Sequence, residues 1–241
     1  MDGASDVRDP GTAQGSEVQD AAAASSPDLV VDPLTDDPRV AEFFGDSYDA
    51  VEGFRRMLVR EGELRGLIGP REVGRLWERH LLNSAAAARF LPETGMIIDV
   101  GSGAGLPGIV LGAMRPQARV VLIEPMDRRT TWLSEVVSEL GLTNVEVLRG
   151  RADEFHGAWE ADAVTARAVA PLDKLVRWCL PLLAPGGTLV ALKGRSAQTE
   201  LDDAKYTIRK FKGVDATVHD ASTIVGVDST AVVTVVRQTG R

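Results

Sequence analysis

Cysteine, histidine and aromatic residues are scarce in this chain of 241 residues, which has one cysteine and three histidines. A single cysteine, Cys179, cannot form an internal disulfide or a metal site built from paired cysteines. No apolar run approaches the roughly 20 residues that a membrane-spanning helix needs, and the first residues have no signal-peptide pattern. We therefore expect a cytoplasmic monomer that binds neither a metal nor a membrane.

An excess of positive charge, which would favour a nucleic-acid partner, is also missing, because the net charge is −8. This acidity is confined to residues 1–38, which contain nine acidic residues and one basic residue, whereas residues 39–241 contain 26 of each. The net charge of the whole chain therefore does not describe the binding face of the domain. Residues 1–33 have no aromatic residue and no hydrophobic period, so we predict a disordered acidic tail.

Helix signals follow this tail. Asp37-Pro38 combines a capping aspartate with a proline at the first helical position, and a second helix is predicted over 47–61. Pro70 opens a third helix, which we expect to continue to Leu91 with a turn or kink near His80. These signals predict an N-terminal helical region.

From residue 97 onward, short apolar runs alternate with amphipathic stretches. The predicted strands are 96–100, 119–124, 145–149, 162–166, 188–192, 214–219 and 231–236. This alternation predicts an α/β fold with a mainly parallel sheet, helices on both faces, and ligands at the carboxyl ends of the strands. We divide the chain into a tail at 1–33, a helical region at 34–92 and a cofactor-binding domain at 93–241.

A strand, a glycine-rich turn and a helix start come together at residues 97–108, an order typical of sites for nucleotide-like ligands. Gly103, Gly105 and Gly108 satisfy the G-x-G-x-x-G pattern of dinucleotide-binding folds, although that match alone is weak. Asp99 and Gly101 extend it to D-x-G-x-G-x-G, which is typical of S-adenosylmethionine (SAM) methyltransferases. An NAD-type oxidoreductase and a non-enzymatic nucleotide-binding module remain as alternatives.

Candidate functional residues follow the ends of five predicted strands. They are Gly101 after the first strand, Glu124 at the end of the second, Ala152 and Asp153 after the third, Arg167 after the fourth and Lys193 after the fifth. A carboxylate at Glu124 can accept hydrogen bonds from a ribose diol. Asp153 and the Ala152 amide could bind an adenine ring, and Arg167 could bind the cofactor carboxylate or an RNA phosphate.

A second set of candidates is cationic. Arg71, Arg75 and Arg79 are spaced at i, i+4 and i+8, which would place them on one stripe of an α-helix, with His80 at its end. Lys193 and Arg195 follow the fifth strand. We predict that these two groups border the cofactor pocket and bind RNA phosphates, the alternative for the stripe being an ordinary solvated helix face.

Five stretches together resemble the bacterial 16S ribosomal RNA guanine-N7 methyltransferases, also called glucose-inhibited division protein B. They are Arg-His-Leu-Leu-Asn-Ser at 79–84, Asp-Val-Gly-Ser-Gly-Ala-Gly-Leu-Pro-Gly at 99–108, Arg-Ala-Asp-Glu-Phe at 151–155, Ala-Arg-Ala at 166–168 and Ala-Leu-Lys-Gly at 191–194. The resemblance implies a class I methyltransferase fold, SAM as the methyl donor and a guanine of small-subunit ribosomal RNA as the acceptor. By position it implies cofactor contacts at Gly101, Leu106, Ala152, Asp153 and Arg167.

The residue content also bears on the type of methylation. Methylation of a pyrimidine carbon normally needs a cysteine nucleophile, and Cys179 falls on the apolar stripe of a helix. Methylation of an exocyclic amine commonly uses an Asn/Asp-Pro-Pro-aromatic motif, where this chain has residues 166–169, Ala-Arg-Ala-Val. Guanine N7 carries a free lone pair at neutral pH and needs no base, so we expect no catalytic side chain. A SAM methyltransferase acting on another acceptor remains the alternative.

Overall fold

The computed structural model describes residues 32–239 of the chain. The α-helices are α1 Pro38–Phe44, α2 Tyr48–Glu61, α3 Asn83–Ala85, α4 Gly108–Met114, α5 Asp127–Glu139, α6 Leu172–Cys179 and α7 Ala197–Lys210. The strands are β1 Gly95–Val100, β2 Ala118–Glu124, β3 Val145–Arg149, β4 Ala161–Arg167, β5 Leu183–Lys193, β6 Gly213–Ala221 and β7 Thr230–Arg237. No helix of this part of the chain is long and apolar enough to span a membrane.

The seven strands form one sheet in the order β3-β2-β1-β4-β5-β7-β6. Strands β1 to β5 pair in parallel, and β7 pairs antiparallel with both β5 and β6. This confirms the predicted α/β fold with a mainly parallel seven-stranded sheet. Strand β1 lies between β2 and β4, so the glycine turn that follows it emerges near the middle of the carboxyl edge.

Successive residues of the central strands alternate between two hydrophobic cores, because side chains of a strand point to opposite faces. Ile97 and Val120 belong to one core, whereas Ile98 and Val121 belong to the other. The first core also contains Phe54 of α2. The N-terminal helical region is therefore packed on one face of the sheet and shares its core.

Strand β5 begins earlier than predicted. The sequence pattern predicts a turn before Thr188, but β5 already starts at Leu183. The register with β4 shifts between Ala161, which pairs with Leu183, and Ala163, which pairs with Thr188. The Pro-Gly-Gly residues are accommodated as an irregularity of the strand, where Gly186 adopts a φ of +86°.

The region after Pro70 is not the single α-helix that the sequence pattern predicts. It consists of a 3-10 helix at Pro70–Arg75, a π-helix at Trp77–Leu82, the short α3 and a 3-10 helix at Ala88–Phe90. With three residues per turn in the 3-10 segment, Arg71 and Arg75 lie about 120° apart around the helix axis and do not share a face. The predicted α-helical stripe of Arg71, Arg75 and Arg79 is therefore wrong.

Asp32 was assigned to the disordered tail by its composition, but it is packed against the domain. Its carboxylate accepts a hydrogen bond from the Trp77 backbone N–H at 2.8 Å, and the residue is only 4% exposed. It also caps the following turn by accepting from the Leu34 N–H. Asp32 thus belongs to the folded domain, and residues 1–31 of the predicted tail lie outside the described residues.

Candidate functional site

The glycine turn after β1 forms the floor of a cleft of about 500 Å³ at the carboxyl edge of the sheet. Gly101 and Gly103 line this cleft with φ values of +71° and +58°, which are favourable mainly for glycine. The predicted contact residue Leu106 also lines it. Gly105 does not line the cleft, and a Cβ there would lie 2.7 Å from Ile109 and 3.0 Å from Phe54. Packing against α2 therefore explains Gly105 better than ligand contact does.

Asp99 closes the start of α4. Its carboxylate accepts a hydrogen bond from the Gly108 N–H at 3.0 Å, and a Cβ on Gly108 would approach the same oxygen at 2.6 Å. In a dinucleotide-binding fold this helix start faces the pyrophosphate. Here a buried carboxyl group occupies that position. Asp99 is fully buried, which raises its pKa to about 7.

Glu124 links the end of β2 to the glycine turn. Its two carboxylate oxygens accept hydrogen bonds from the backbone N–H groups of Gly103 at 2.9 Å and Met126 at 3.0 Å. Arg129 Nη1 lies 3.8 Å from the same carboxylate. Although Glu124 is only 2% exposed, it lines the cleft, and each oxygen retains a lone pair. A ribose diol can therefore bind to a carboxylate that is already fixed in place.

A smaller apolar cavity adjoins the turn on the β3 side. Its lining includes Ala152 and Asp153, together with Ile123, Val169 and Trp178. Ala152 opens the 3-10 helix Ala152–Phe155, so its N–H has no acceptor within that helix. A flat, apolar ring with polar edges, such as adenine, matches this lining.

Arg167, at the end of β4, joins the sheet to the N-terminal helical region. Its guanidinium donates to the Arg79 carbonyl at 3.1 Å, to Asn83 Oδ1 at 2.8 Å and to His80 Nδ1 at 2.8 Å. Burial lowers the pKa of Arg167 to about 10, so the group stays cationic at neutral pH. Arg167 therefore uses at least three of its five N–H donors in hydrogen bonds within the protein, and only the other N–H groups can bind a ligand.

His80 has one possible neutral tautomer in this arrangement. Because a guanidinium only donates, Nδ1 must accept from Arg167, and Nε2 must carry the proton that it donates to Glu72 at 2.7 Å. Burial and the nearby Arg167 charge lower the pKa of His80 despite the Glu72 carboxylate. His80 is thus a neutral connector, with neither ring nitrogen free to take up a proton from a substrate.

A second cleft of about 600 Å³ lies on the other side of Arg167. The two clefts share a wall formed by Glu72, His80, Arg167, Ala168 and Val169. A ligand in the second cleft would therefore contact the same side chains as a ligand in the first. This adjacency is what a group-transfer enzyme needs for a donor and an acceptor.

The four arginines predicted to bind RNA are exposed, whereas His80 and Lys193 are largely buried. Arg75 forms an ion pair with Glu78 at 3.0 Å, and Arg79 forms one with Glu72 at 3.3 Å. His80 lies in the shared wall, as described above. Lys193 lines the second cleft, but only 8% of its side chain is exposed. Its ammonium donates to the Ala170 carbonyl at 2.7 Å and to Glu200 at 2.8 Å.

Sequence reasoning missed Glu72, Val169 and Glu200 as residues of the site. Val169 borders both clefts and the apolar cavity, and nothing in its sequence environment marks it. Glu200 follows Ser196 at i+4 and accepts its hydroxyl hydrogen bond, a spacing that looks like ordinary helix capping. Only the contacts between distant segments identify these residues.

SAM fits the residues at the first cleft. The turn presents backbone without side chains to the cleft at Gly101 and Gly103, whose positive φ values favour glycine. Asp99 has a buried oxygen without a hydrogen-bond partner beside this turn. Glu124 supplies an acceptor for a ribose diol, and the cavity near Ala152 suits an adenine ring. A pyrophosphate, in contrast, would meet the Asp99 carboxyl group at the helix start.

Comparison with known proteins agrees with this geometry. A family model described as rRNA small subunit methyltransferase G (GidB) matches residues 47–224. The protein named ribosomal RNA small subunit methyltransferase G from Beutenbergia cavernae is 53% identical over 191 residues, which cover 79% of this chain and 90% of the relative. Its namesake from Salinispora arenicola is 49% identical over 202 residues, covering 81% and 84% of the two chains.

Among solved structures, a SAM-dependent O-methyltransferase from Thermotoga maritima superposes with a TM-score of 0.54. It covers 70% of this chain and 71% of its own, at 16% sequence identity. At that identity the similarity shows the fold alone, which is the class I methyltransferase fold. With the family match over most of its length, the chain is a SAM-dependent methyltransferase and belongs to the rRNA small subunit methyltransferase G family.

Proposed function

We propose that this protein transfers the methyl group of SAM to N7 of a guanine in 16S ribosomal RNA. The observation that carries the proposal is the second cleft, which shares a wall with the cofactor cleft and in which, among the residues that the structure describes, each carboxylate and the histidine are hydrogen-bonded to other side chains. In that cleft Glu72 is bonded to His80 and Glu200 to Lys193, while His80 is held as a neutral connector. An acceptor that needs no deprotonation matches such a site.

When bound, SAM supplies a methyl group on a sulfonium, a reactive electrophile. We infer that Glu124 holds the ribose hydroxyls and that Ala152 and Asp153 hold the adenine ring. Arg167 lines both clefts, and its remaining N–H groups can donate to the cofactor carboxylate or to the guanine O6. The protein then acts by holding N7 in line with the methyl group, and such positioning can supply several kcal/mol, up to about 7–11.

The exposed arginines supply the electrostatic part of RNA binding. Arg71 lies close to Gly69 and Glu72, which border the first cleft, and Arg195 follows Gly194, which lines the second. RNA phosphates can also displace the glutamates that pair with Arg75 and Arg79. A domain whose charges balance overall can in this way present positive charge at the mouth of its site.

Methyl transfer from labelled SAM to purified small subunits and to naked 16S ribosomal RNA tests the proposal. Nuclease digestion and mass spectrometry should show 7-methylguanosine at one position. Ribosomal RNA from cells lacking the protein should lose that modification and regain it on complementation. A methyl group on another atom or base, or no transfer to either substrate, would overturn the proposal. Calorimetric titration with SAM and with NADH separates the cofactor classes independently.

We also propose that the protein acts as a cytoplasmic monomer without a metal. Light scattering coupled to size-exclusion chromatography and elemental analysis of the purified protein test the two molecular statements, and fractionation of cells tests the location.

A further inference from the structure

The segment 168–171 contributes Ala168 and Val169 to the shared wall of the two clefts, and we call this segment the 168–171 wall. Val169 borders the cofactor cleft, the apolar cavity and the second cleft, and its methyl groups fill the space where a Gly101 side chain would be. Ala168 adopts a φ of +54°, an unfavourable backbone conformation for a residue with a Cβ. The wall therefore needs contacts that hold it in this conformation.

One partly buried ion pair makes such contacts at the carboxyl-terminal end of the wall, at Ala170 and at Leu172, the residue that follows it. Lys193 Nζ donates to the Ala170 carbonyl at 2.7 Å, and the Glu200 carboxylate accepts from the Leu172 N–H at 2.9 Å. Lys193 and Glu200 join each other at 2.8 Å, and Ser196 donates to the second carboxylate oxygen at 2.9 Å. The pair thereby ties the wall to the end of β5 and to α7.

Binding to an RNA phosphate is a poor alternative for Lys193. Only 8% of its side chain is exposed, and its ammonium donates hydrogen bonds to a carbonyl and a carboxylate of its own chain. A phosphate would have to displace Glu200 and would leave that carboxylate without its cation. Removing one partner of such a pair is costly because the other charge stays partly buried.

We propose that Lys193 and Glu200 are positioning residues, which act together to hold Val169 and the 168–171 wall between the donor and the acceptor. This inference rests on the proposed function for its kinetic consequence, but the structural tie can be tested without it. Neither residue contacts the reacting atoms in this assignment. Their loss should lower the rate of transfer and leave the electrostatic part of RNA binding unchanged.

The test is a double-mutant cycle of Lys193→Met, Glu200→Ala and the double variant in the full-length protein. We expect each single variant to lower kcat by about 10- to 100-fold, as misplacement by about 1 Å can do. The double variant should lose little more than either single one, because both remove the same tie. The matched control is Lys205→Met with Asp202→Ala, an exposed ion pair of the same helix, which should leave kcat unchanged.

Two further measurements separate the outcomes. The salt dependence of RNA binding should be the same for Lys193→Met as for the wild type. The backbone amides of residues 168–170 and 172 should exchange faster with deuterium in both variants, residue 171 being a proline without an N–H. A flatter salt slope for Lys193→Met, together with full activity of Glu200→Ala, would overturn the proposal and assign Lys193 to a phosphate. Additive losses of kcat or unchanged exchange at 168–172 would also overturn it.

If the wild type methylates no ribosomal RNA, the proposed function fails. Hydrogen exchange and SAM affinity of the same variants still show whether Lys193 and Glu200 hold the 168–171 wall in place. A variant that does not fold is replaced by Lys193→Gln or Glu200→Gln, which keep the side-chain volume. Faster exchange at 168–172 in those variants supports the proposal, and exchange like the wild type contradicts it.

Discussion

At the scale of single residues, charged groups of the site are held by hydrogen bonds before any ligand arrives. Glu124 accepts from two backbone N–H groups, and Arg167 donates to three acceptors. Such bonds fix each charge in one geometry, which lowers the entropy lost on binding. The residues that we propose to hold the ligand therefore also shape the cleft, and substitutions should affect both.

Glu124→Ala should weaken SAM binding. Loss of hydrogen bonds to a charged group costs about 1.5–3 kcal/mol, or about 10- to 150-fold in Kd. Calorimetric titration measures this loss. Glu135→Ala on the exposed face of α5 is the control and should bind SAM like the wild type. Unchanged affinity of Glu124→Ala would show that the ribose binds elsewhere.

His80→Gln should change how stability depends on pH. The folded pKa of His80 is lowered from 6.5, so the unfolded chain binds more protons and the stability associated with neutral His80 is lost as the pH falls below about 6.5. Gln cannot titrate, so the stability advantage of the wild type over the variant should shrink between about pH 7.5 and about pH 5.5.

Urea denaturation of both proteins at the two pH values measures this difference. Asp99 also makes stability depend on pH, but its raised pKa of about 7 acts in the opposite direction, because its contribution to stability decreases as the pH rises from about 4 to about 7. Both proteins contain Asp99, so its contribution cancels when their stabilities are compared. A stability difference independent of pH would mean that His80 titrates as it does in the unfolded chain, and an advantage that grows as the pH falls would mean that the folded protein holds His80 protonated.

At the scale of elements, the glycine turn serves two purposes. Gly101 and Gly103 line the first cleft, whereas Gly105 and Gly108 do not line it and lie against protein atoms at distances that no Cβ could occupy. Gly105 lies against Phe54 of α2 and Gly108 against Leu122 of β2. The turn is therefore both a ligand-binding segment and the joint between the helical region and the sheet.

Two matched substitutions separate these purposes. Gly105→Ala combines a strained φ of +107° with close contacts to Ile109 and Phe54, so it should destabilise the fold by about 2–5 kcal/mol. Gly103→Ala has more space around its Cβ and should cost only about 1–2 kcal/mol, mainly from backbone strain. Chemical denaturation measures both, and equal losses would contradict this division of the turn.

At the scale of the whole molecule, the N-terminal helices and the sheet share one hydrophobic core. Arg167 and His80 connect the two parts at the site, and Asp32, the first residue that the structure describes, contacts Trp77. The helical region is thus a wall of both clefts. Its position depends on contacts that begin at residue 32, six residues before α1.

Removal of residues 1–31 should leave the melting temperature and the SAM affinity unchanged, because their composition gives little apolar surface to bury. Asp32→Ala should instead destabilise the protein by about 1–3 kcal/mol, since the buried Trp77 N–H loses its acceptor. Thermal and urea unfolding measure both changes, with the exposed Glu42→Ala as control. A drop of several degrees on truncation would show that the tail docks on the domain.

The balanced charge of the domain makes a prediction about RNA binding. Replacing Arg71, Arg75 and Arg79 with Ala should weaken RNA binding and flatten its salt dependence by about 0.7–0.9 units of slope for each phosphate contact removed. SAM affinity should change little, because these side chains lie outside the cofactor cleft. Arg119→Ala, at the opposite edge of the sheet, is the control, and an unaltered slope in the triple variant would make these arginines an ordinary solvated surface.

Local pattern determined much of this molecule. The alternation of apolar strands and amphipathic helices, the glycine spacing and the acidic residue at the end of β2 depend on neighbours within a few residues, so they can be read from the chain. Parallel strands then bring their carboxyl ends to one edge, which is why Glu124, Ala152 and Arg167 were predicted near one another. The five short motifs added the family.

Contacts between distant segments decided the rest. His80 and Arg167 are 87 residues apart in the chain, and their hydrogen bond turns two candidate ligand-binding residues into one fixed pair. Lys193 looks like a surface cation by type, but burial beside Ala170 and Glu200 makes it a structural one. The arginine stripe failed because tertiary packing imposed 3-10 and π-helical geometry on a segment whose local pattern favours an α-helix. Local sequence determines the secondary-structure propensity of a segment. The burial of a side chain and its hydrogen-bond partners are determined only when distant segments pack together.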